Sequence, residues 1–194
     1  MNIQPIEIRG PWNSCYILDK HTIDSQYVGV NEYGHSVFDT RRTETGELLY
    51  QFKYRGSKEA LRKLVDIAVE FWKEIKNNFD LIVPIPPSKT GRTTNEMIVR
   101  ELATIMNISM SANALIKIKD TPQIKDVDGL DEREAILRNA FAADIKQLEG
   151  KTILLVDDIY RSGATMTAAT KIILEQGKAA DVYAFAFTYT RYFR

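Results

Sequence analysis

Residues 152–165 read TILLVDDIYRSGAT, and this stretch decides the fold. Its first five residues are almost wholly apolar, which predicts a strand buried on both faces of a sheet. Residues 164–175 follow as a predicted helix, and Gln176–Gly177 is a helix stop. A strand that runs through two aspartates and a small-residue turn into a helix is typical of an anion site at a helix N-terminus.

The chain on either side repeats the alternation of strand and helix. Apolar residues recur at spacings of three and four over residues 57–78, which predicts an amphipathic helix before an apolar strand at 81–86. The threonine-to-glutamate spacing of residues 93–96 is that of a capping box and predicts a second helix. Further strands are predicted at 114–118 and 181–188. This order predicts an α/β core with a central, mainly parallel sheet flanked by helices.

Residues 1–56 have a different character, since they are rich in Tyr, Val, Thr and Phe and broken by turn-forming pairs. We place turns near Tyr33–Gly34 and Thr45–Gly46, and predict a hairpin that pairs residues 36–42 with 47–53. The predicted organisation is therefore a small β-rich N-terminal subdomain over 1–56 and the core over 57–194.

Composition excludes several classes of protein. Lysine plus arginine and aspartate plus glutamate are both 26, so no net charge favours nucleic acid or an anionic membrane. Cys15 is the only cysteine, which excludes an internal disulfide or a zinc knuckle and makes a packing role the better interpretation. No apolar run reaches the roughly 18 residues of a membrane helix, and the first residues do not resemble a secretory signal. We expect a cytoplasmic protein.

The loop after residue 156 predicts a ligand with two kinds of group. Asp157 and Asp158 would repel a bare phosphate, so the ligand should also carry hydroxyls that donate to carboxylates. Residues 162–165 offer amides and two hydroxyls to a phosphate. A ribose 5-phosphate satisfies both halves, whereas G-x-G-x-x-G and P-loop motifs are absent. The alternative is that the aspartates only end a strand and cap a helix.

This run resembles the signature of the type I phosphoribosyltransferases. The resemblance implies that the donor 5-phosphoribosyl-1-pyrophosphate binds with Mg²⁺ held mainly by the substrate, and that a nitrogen acceptor replaces pyrophosphate. Asp157 and Asp158 would hold the ribose hydroxyls. The 5′-phosphate would lie against Arg161, Ser162, Gly163, Ala164 and Thr165. Arg161 departs from the threonine common in the family, which matters little if its amide makes the contact.

Two other segments lie where that family carries functional loops. Pro87, Ser88, Lys89 and Arg92 follow the strand at 81–86 and would bind pyrophosphate; the alternative is an exposed basic turn. Residues 119–133 lie where the family carries a mobile flap, and Lys119, Lys125 and Arg133 are the candidates to meet pyrophosphate. For any one of these three residues taken alone, an ordinary place in a solvated loop is the better interpretation.

Short echoes are similar to one branch, the amidophosphoribosyltransferase-like proteins of the competence ComF group. They are residues 83–86, Asn95, residues 52–56, 121–123, 132–133 and 140–141. That group commonly begins with a zinc ribbon, but Cys15 is alone, so no zinc is expected. Residues 1–56 are instead a candidate hood over the acceptor. Its aromatics Trp12, Tyr16, Tyr27 and Tyr33 would stack on a base or belong to the core, and His21 and His35 receive no role.

Three functions remain open at this point. The first is an enzyme that transfers phosphoribosyl groups. The second is a donor-binding regulator or accessory protein of DNA uptake that does not turn over, and the third is a fold with a vestigial site. The sequence does not identify the acceptor. It also leaves the oligomeric state open, although a homodimer is the commonest assembly.

Overall fold

The computed structural model describes residues 3–75, 78–87, 93–118 and 139–190. The strands are β1 (Ile6–Glu7), β2 (Ser14–Lys20), β3 (Thr22–Val30), β4 (Ser36–Arg42), β5 (Leu81–Pro84), β6 (Leu115–Lys117), β7 (Phe141–Ala143), β8 (Thr152–Tyr160) and β9 (Asp181–Tyr189). The helices are α1 (Glu44–Arg55), α2 (Lys58–Ile75), α3 (Thr94–Met106), α4 (Ile145–Leu148) and α5 (Ala164–Glu175). None of the described helices combines the length and apolar character of a membrane crossing.

The central sheet has the strand order β1-β2-β9-β8-β5. Strands β2, β9, β8 and β5 are parallel to one another, and β1 is an antiparallel edge strand. The predicted α/β fold with a mainly parallel sheet is confirmed. Because parallel strands end at the same side, the segments after β2, β5, β8 and β9 meet at one edge.

Helices cover both faces of the sheet, because successive side chains of each strand point to opposite faces and both sets are apolar. Ile153 and Leu155 of β8 pack in one buried cluster with the apolar face of α5. Leu154 and Val156 point the other way, into a cluster built from α1, α2 and α3. Both faces are therefore dry, which explains the unbroken apolar run that marked β8 in the sequence.

The predicted hairpin between residues 36–42 and 47–53 is wrong, because the second segment belongs to α1. Thr43 is the N-cap and its side chain accepts a hydrogen bond from the Gly46 amide, so the predicted turn is the first helical turn. Leu49 and Phe52, three residues apart, are buried on one face of the helix. Gly56 ends it with φ of 66°.

The remaining part of the N-terminal segment divides between two sheets. Strand β4 pairs instead with β3 in a separate antiparallel hairpin, and the turn predicted at Tyr33–Gly34 lies between them. Strand β2, in contrast, is hydrogen-bonded to β9 inside the central sheet. The boundary drawn at residue 56 stays a prediction.

Helix α3 forms where the capping box predicted it, but without the predicted cap. Thr93 is the N-cap residue and makes no side-chain hydrogen bond to the helix. The helix is held instead by its buried face, which includes Ile98, Val99 and Leu102. Tertiary packing thus stabilises its start without the local motif.

Candidate functional site

The two aspartates lie within β8 itself, which continues four residues beyond the predicted end of the strand. Asp157 is paired with Ala186 of β9, and the ladder runs on to Tyr160 opposite Tyr189. Successive residues of a strand point to opposite faces. The two carboxylates therefore start from opposite faces at the carboxyl edge of the sheet, next to the turn that opens α5.

Asp157 is partly buried, and its Oδ1 accepts a hydrogen bond from the Asp158 amide at 2.9 Å. Burial, and then repulsion from Asp158, raise the pKa of the Asp157 carboxyl well above its ordinary value. Lys53 and Arg161 oppose this rise. The site therefore favours a proton on Asp157 until a ligand donates hydrogen bonds or positive charge to it.

Asp158 is held by a cation that sequence reasoning did not assign to the site. The Nζ of Lys53, in the last turn of α1, lies 2.5 Å from Asp158 Oδ2, and the two side chains are only 20% and 17% exposed. The sequence signal for Lys53 was the short family resemblance at residues 52–56. This segment is about a hundred residues from Asp158 in the sequence, so the contact between the two side chains was not predictable from it. The pair places one enclosed carboxylate in a fixed position.

The turn from β8 to α5 requires glycine at one position. Gly163 has φ of 78°, and a Cβ there would come within 2.0 Å of the Tyr160 hydroxyl. Because Gly163 is the N-cap, α5 has no side-chain cap for its first amides. Arg161 is exposed, Ser162 and Thr165 are partly exposed, and Gly163 and Ala164 are buried. The predicted phosphate residues thus surround an uncapped helix N-terminus.

Asn95 joins the ends of β5 and β8. Its Nδ2 donates to the Ile85 carbonyl at 3.1 Å and to the Val156 carbonyl at 3.0 Å. Asn95 is buried, and among the described residues its Oδ1 has no hydrogen-bond partner. Pro87 is exposed at the end of the described part of this segment. The other predicted pyrophosphate residues, Ser88, Lys89 and Arg92, lie outside the described residues.

His21, to which no role was given, lies beside these groups. Its Nδ1 is 3.1 Å from Thr188 Oγ1, and its position just after β2 puts it at the same sheet edge. Burial, followed by the positive charges of Arg42, Lys53 and Arg161, lowers the pKa of His21. Its neighbours come from separate elements, so no local sequence pattern could reveal them.

The other candidates separate into core and surface residues. Trp12 is buried and its Nε1 donates to the Ile8 carbonyl, while Tyr16 packs edge-on against Phe71 and Trp72. Tyr27 and Tyr33 are exposed on the β3–β4 hairpin. Cys15 is fully buried, and burial raises its pKa to about 12, as expected of a packing residue. The flap candidates Lys119, Lys125 and Arg133 lie outside the described residues.

Comparisons with known proteins agree with the resemblance seen in the sequence. A family model described as the phosphoribosyl transferase domain matches residues 55–188. The competence protein ComFC of Bacillus subtilis (strain 168) is 31% identical over 184 residues, which are 94% of this chain and 73% of that protein. The resemblance to the ComF group is thereby confirmed.

Solved structures share the fold at low sequence identity. The adenine phosphoribosyltransferase of Trypanosoma brucei, solved with AMP, pyrophosphate and ribose 5-phosphate, has a TM-score of 0.53 at 12% identity and covers 98% of this chain and 87% of its own. The Leishmania donovani enzyme has a TM-score of 0.50 at 11% identity and covers 95% of this chain and 86% of its own.

Proposed function

The chain belongs to the phosphoribosyl transferase domain family, and from that premise we propose that it is an enzyme of phosphoribosyl transfer. It binds 5-phosphoribosyl-1-pyrophosphate with Mg²⁺ and transfers the phosphoribosyl group to a nitrogen acceptor, with release of pyrophosphate. The observation that carries the proposal is the adjacency of Asp157 and Asp158 to the glycine turn and uncapped start of α5.

The turn suits the 5′-phosphate of the donor. The first amides of a helix have no intrahelical partner, and here no side chain caps them. An anion against residues Arg161–Thr165 would accept hydrogen bonds from these amides and from the Ser162 and Thr165 hydroxyls. Gly163 fits against the Tyr160 hydroxyl only because it has no Cβ, and the same lack of a side chain lets a phosphate approach the backbone of the turn.

The aspartates suit the ribose. A carboxylate accepts hydrogen bonds from the 2′ and 3′ hydroxyls, and both carboxylates lie one short turn away from the phosphate position. Among the described residues, Asp158 Oδ2 is taken by Lys53, which leaves its Oδ1 for a ribose hydroxyl. The Trypanosoma enzyme, which shares this fold, was solved with ribose 5-phosphate bound.

The oxygen groups present are compatible with Mg²⁺ that is carried by the substrate. The described residues include no cluster of three or more His, Cys, Asp or Glu that could hold a metal ion by themselves. Asp157 and Asp158 would hold Mg²⁺ indirectly, through ribose hydroxyls and water, and no protein group is proposed as a direct ligand. The ion, when bound, neutralises charge on the departing pyrophosphate.

The protein's own contribution is position and charge stabilisation rather than a covalent nucleophile. The segment after β5, with Pro87, Ser88, Lys89 and Arg92, would bind pyrophosphate, and Asn95 fixes the start of that segment against β8. Lys119, Lys125 and Arg133 would close over the reacting centre and exclude water, which would otherwise capture the ribosyl group. The N-terminal segment would cover the acceptor.

A second candidate is a donor-binding regulator or accessory protein of DNA uptake. The 31% identity to a competence protein favours it. Such a protein would bind the donor in the same site without releasing pyrophosphate.

One assay separates these functions. Pyrophosphate release is measured with donor, Mg²⁺ and a panel of nucleobases, ammonia and glutamine, alongside donor binding by calorimetry. Release that depends on one acceptor supports the transferase. Tight donor binding with no release across the panel supports the regulator, and absence of donor binding supports a vestigial site and overturns both proposals.

A further inference from the structure

The ion pair of Lys53 with Asp158 is more enclosed than the other ion pairs in the part of the chain that the structure describes. The Lys53 side chain is 20% exposed and that of Asp158 is 17% exposed, whereas Lys63 and Glu59 on α2 are 58% and 78% exposed. Taking two charges out of water costs much of what their attraction returns, so an enclosed pair is poor evidence for a stabilising role. The contact calls for a functional explanation.

A simpler explanation is that a lysine in the last turn of a helix complements the helix dipole. Arg55 occupies the same turn and is exposed, as expected for that role. Lys53 instead directs its ammonium away from solvent, to an aspartate about a hundred residues later in the sequence. The dipole therefore does not account for its position.

Helix α1 holds Lys53 rigidly. Leu49 and Phe52 anchor the helix in the core cluster that also contains Leu18 and Phe187 of the central sheet. At its N-terminal end, the helix lies so close to the backbone of His21 that a Cβ on Gly46 would be 2.1 Å from the His21 carbonyl oxygen. The ammonium is thus delivered from a packed element rather than from a mobile loop.

The charges around the aspartates give Lys53 a second effect. Asp157 is faced by Asp158 on its own strand, by Lys53 from α1 and by Arg161 from the following turn. His21, after β2, also lies nearby, and burial, followed by the charges of Arg42, Lys53 and Arg161, lowers its pKa and so disfavours its charged form. Among the described residues, Lys53 and Arg161 are thus the cations that lower the pKa of Asp157.

We propose that Lys53 is a positioning residue of the ribosyl donor site, whose ammonium holds the Asp158 carboxylate in place with one oxygen left free for the ribose. Helix α1 then belongs to the donor site, although the sequence assigned it to a separate N-terminal subdomain. This inference rests on the proposed function, because it takes Asp158 to be a ribose ligand.

The test compares Lys53→Met, Lys53→Gln and Lys53→Arg in the full chain, with Lys63→Met as the matched control in an exposed pair. Donor affinity with Mg²⁺ is measured by calorimetry at a series of pH values, and thermal unfolding reports folding. Lys53→Met and Lys53→Gln should weaken donor binding about tenfold or more, the worth of a charged hydrogen bond. Lys53→Arg should retain donor binding because it keeps the positive charge, and Lys63→Met should leave donor binding unchanged.

The pH profile separates positioning from mere loss of structure. Without the Lys53 charge the pKa of Asp157 rises further, so the pH below which donor binding weakens should move upward in the methionine and glutamine variants. If Lys53→Met does not fold, the glutamine variant gives the result. If a folded methionine or glutamine variant has the wild-type donor affinity and pH profile, the proposed role of Lys53 is overturned and the proposed function is not. A wild-type protein that does not bind the donor overturns the proposed function as well.

Discussion

Two adjacent aspartates at the end of one strand repel each other, and the surrounding residues compensate the two negative charges unequally. Asp158 receives the Lys53 ammonium at 2.5 Å. Asp157 is left with the Asp158 amide, and burial with like-charge repulsion raises its pKa. A site that disfavours one of its own negative charges is pre-arranged for a ligand that donates hydrogen bonds to it.

Asp157→Asn should therefore stabilise the ligand-free protein. A carboxyl whose pKa is raised on folding binds more protons in the folded state than in the unfolded state. The free energy of unfolding therefore falls as the pH rises from near 4, the ordinary pKa of an aspartate, through neutral pH. Asparagine cannot ionise and escapes this loss. We expect a gain of about 1–3 kcal/mol at slightly alkaline pH, shrinking toward zero near pH 4.

Thermal unfolding of both proteins across that pH range measures the difference. The variant should melt higher at alkaline pH and equally at acid pH. A melting temperature lower than that of the wild type at alkaline pH would contradict the assigned charge balance.

The sequence proposes candidate site residues only where they are contiguous. Asp157, Asp158 and Gly163 fall within one short run, so their order alone indicated a sugar phosphate. Lys53 and His21 reach the same place from α1 and from the end of β2. No spacing rule connects residues that the sheet topology brings together.

At the scale of elements, Asn95 determines how two strand ends meet. Helix α3 inserts its amide between the carbonyls of Ile85 and Val156, and the Ile85 amide also donates to Val156. The segment proposed for pyrophosphate and the strand that carries the ribose carboxylates are therefore held together by this side chain as well as by a backbone hydrogen bond.

Asn95→Ala should loosen this junction. It removes two buried hydrogen bonds and leaves the Ile85 carbonyl without its amide donor, at a cost of about 1–3 kcal/mol. Donor affinity should fall with stability, since both ligand segments depend on the junction. Asn13→Ala is the control, because its amide bonds Asp181 at the exposed, opposite end of the sheet. Chemical denaturation and donor calorimetry measure both; unchanged donor affinity in a destabilised Asn95→Ala would refute the coupling.

The elements themselves differ in how far the sequence predicted them. Helix α5 has the predicted bounds, and β8 was recognisable because it is buried on both faces. Helix α1 was misassigned because Thr45–Gly46 and aromatic residues favour a hairpin locally. Tertiary context overrode that preference: the Thr43 cap, the buried Leu49 and Phe52, and the approach of Gly46 to His21 all require a helix.

At the scale of the whole molecule, parallel strands gather the chemistry at one edge. Strands β2, β9, β8 and β5 all end there, so His21, Asp157, Asp158 and the segment leading to Pro87 converge. This is the edge where open α/β sheets bind ligands. The balanced total charge of the chain, 26 of each sign, leaves anion recognition to this local arrangement.

We expect this edge of the sheet to bind a phosphoribosyl donor through its two aspartates, which donor calorimetry can measure. 5-Phosphoribosyl-1-pyrophosphate is titrated with Mg²⁺ into the wild type and into the double variant Asp157→Asn, Asp158→Asn, with thermal unfolding confirming that both are folded. The wild type should bind the donor saturably, and the double variant should not bind it. Equal affinity in the two proteins would contradict this expectation.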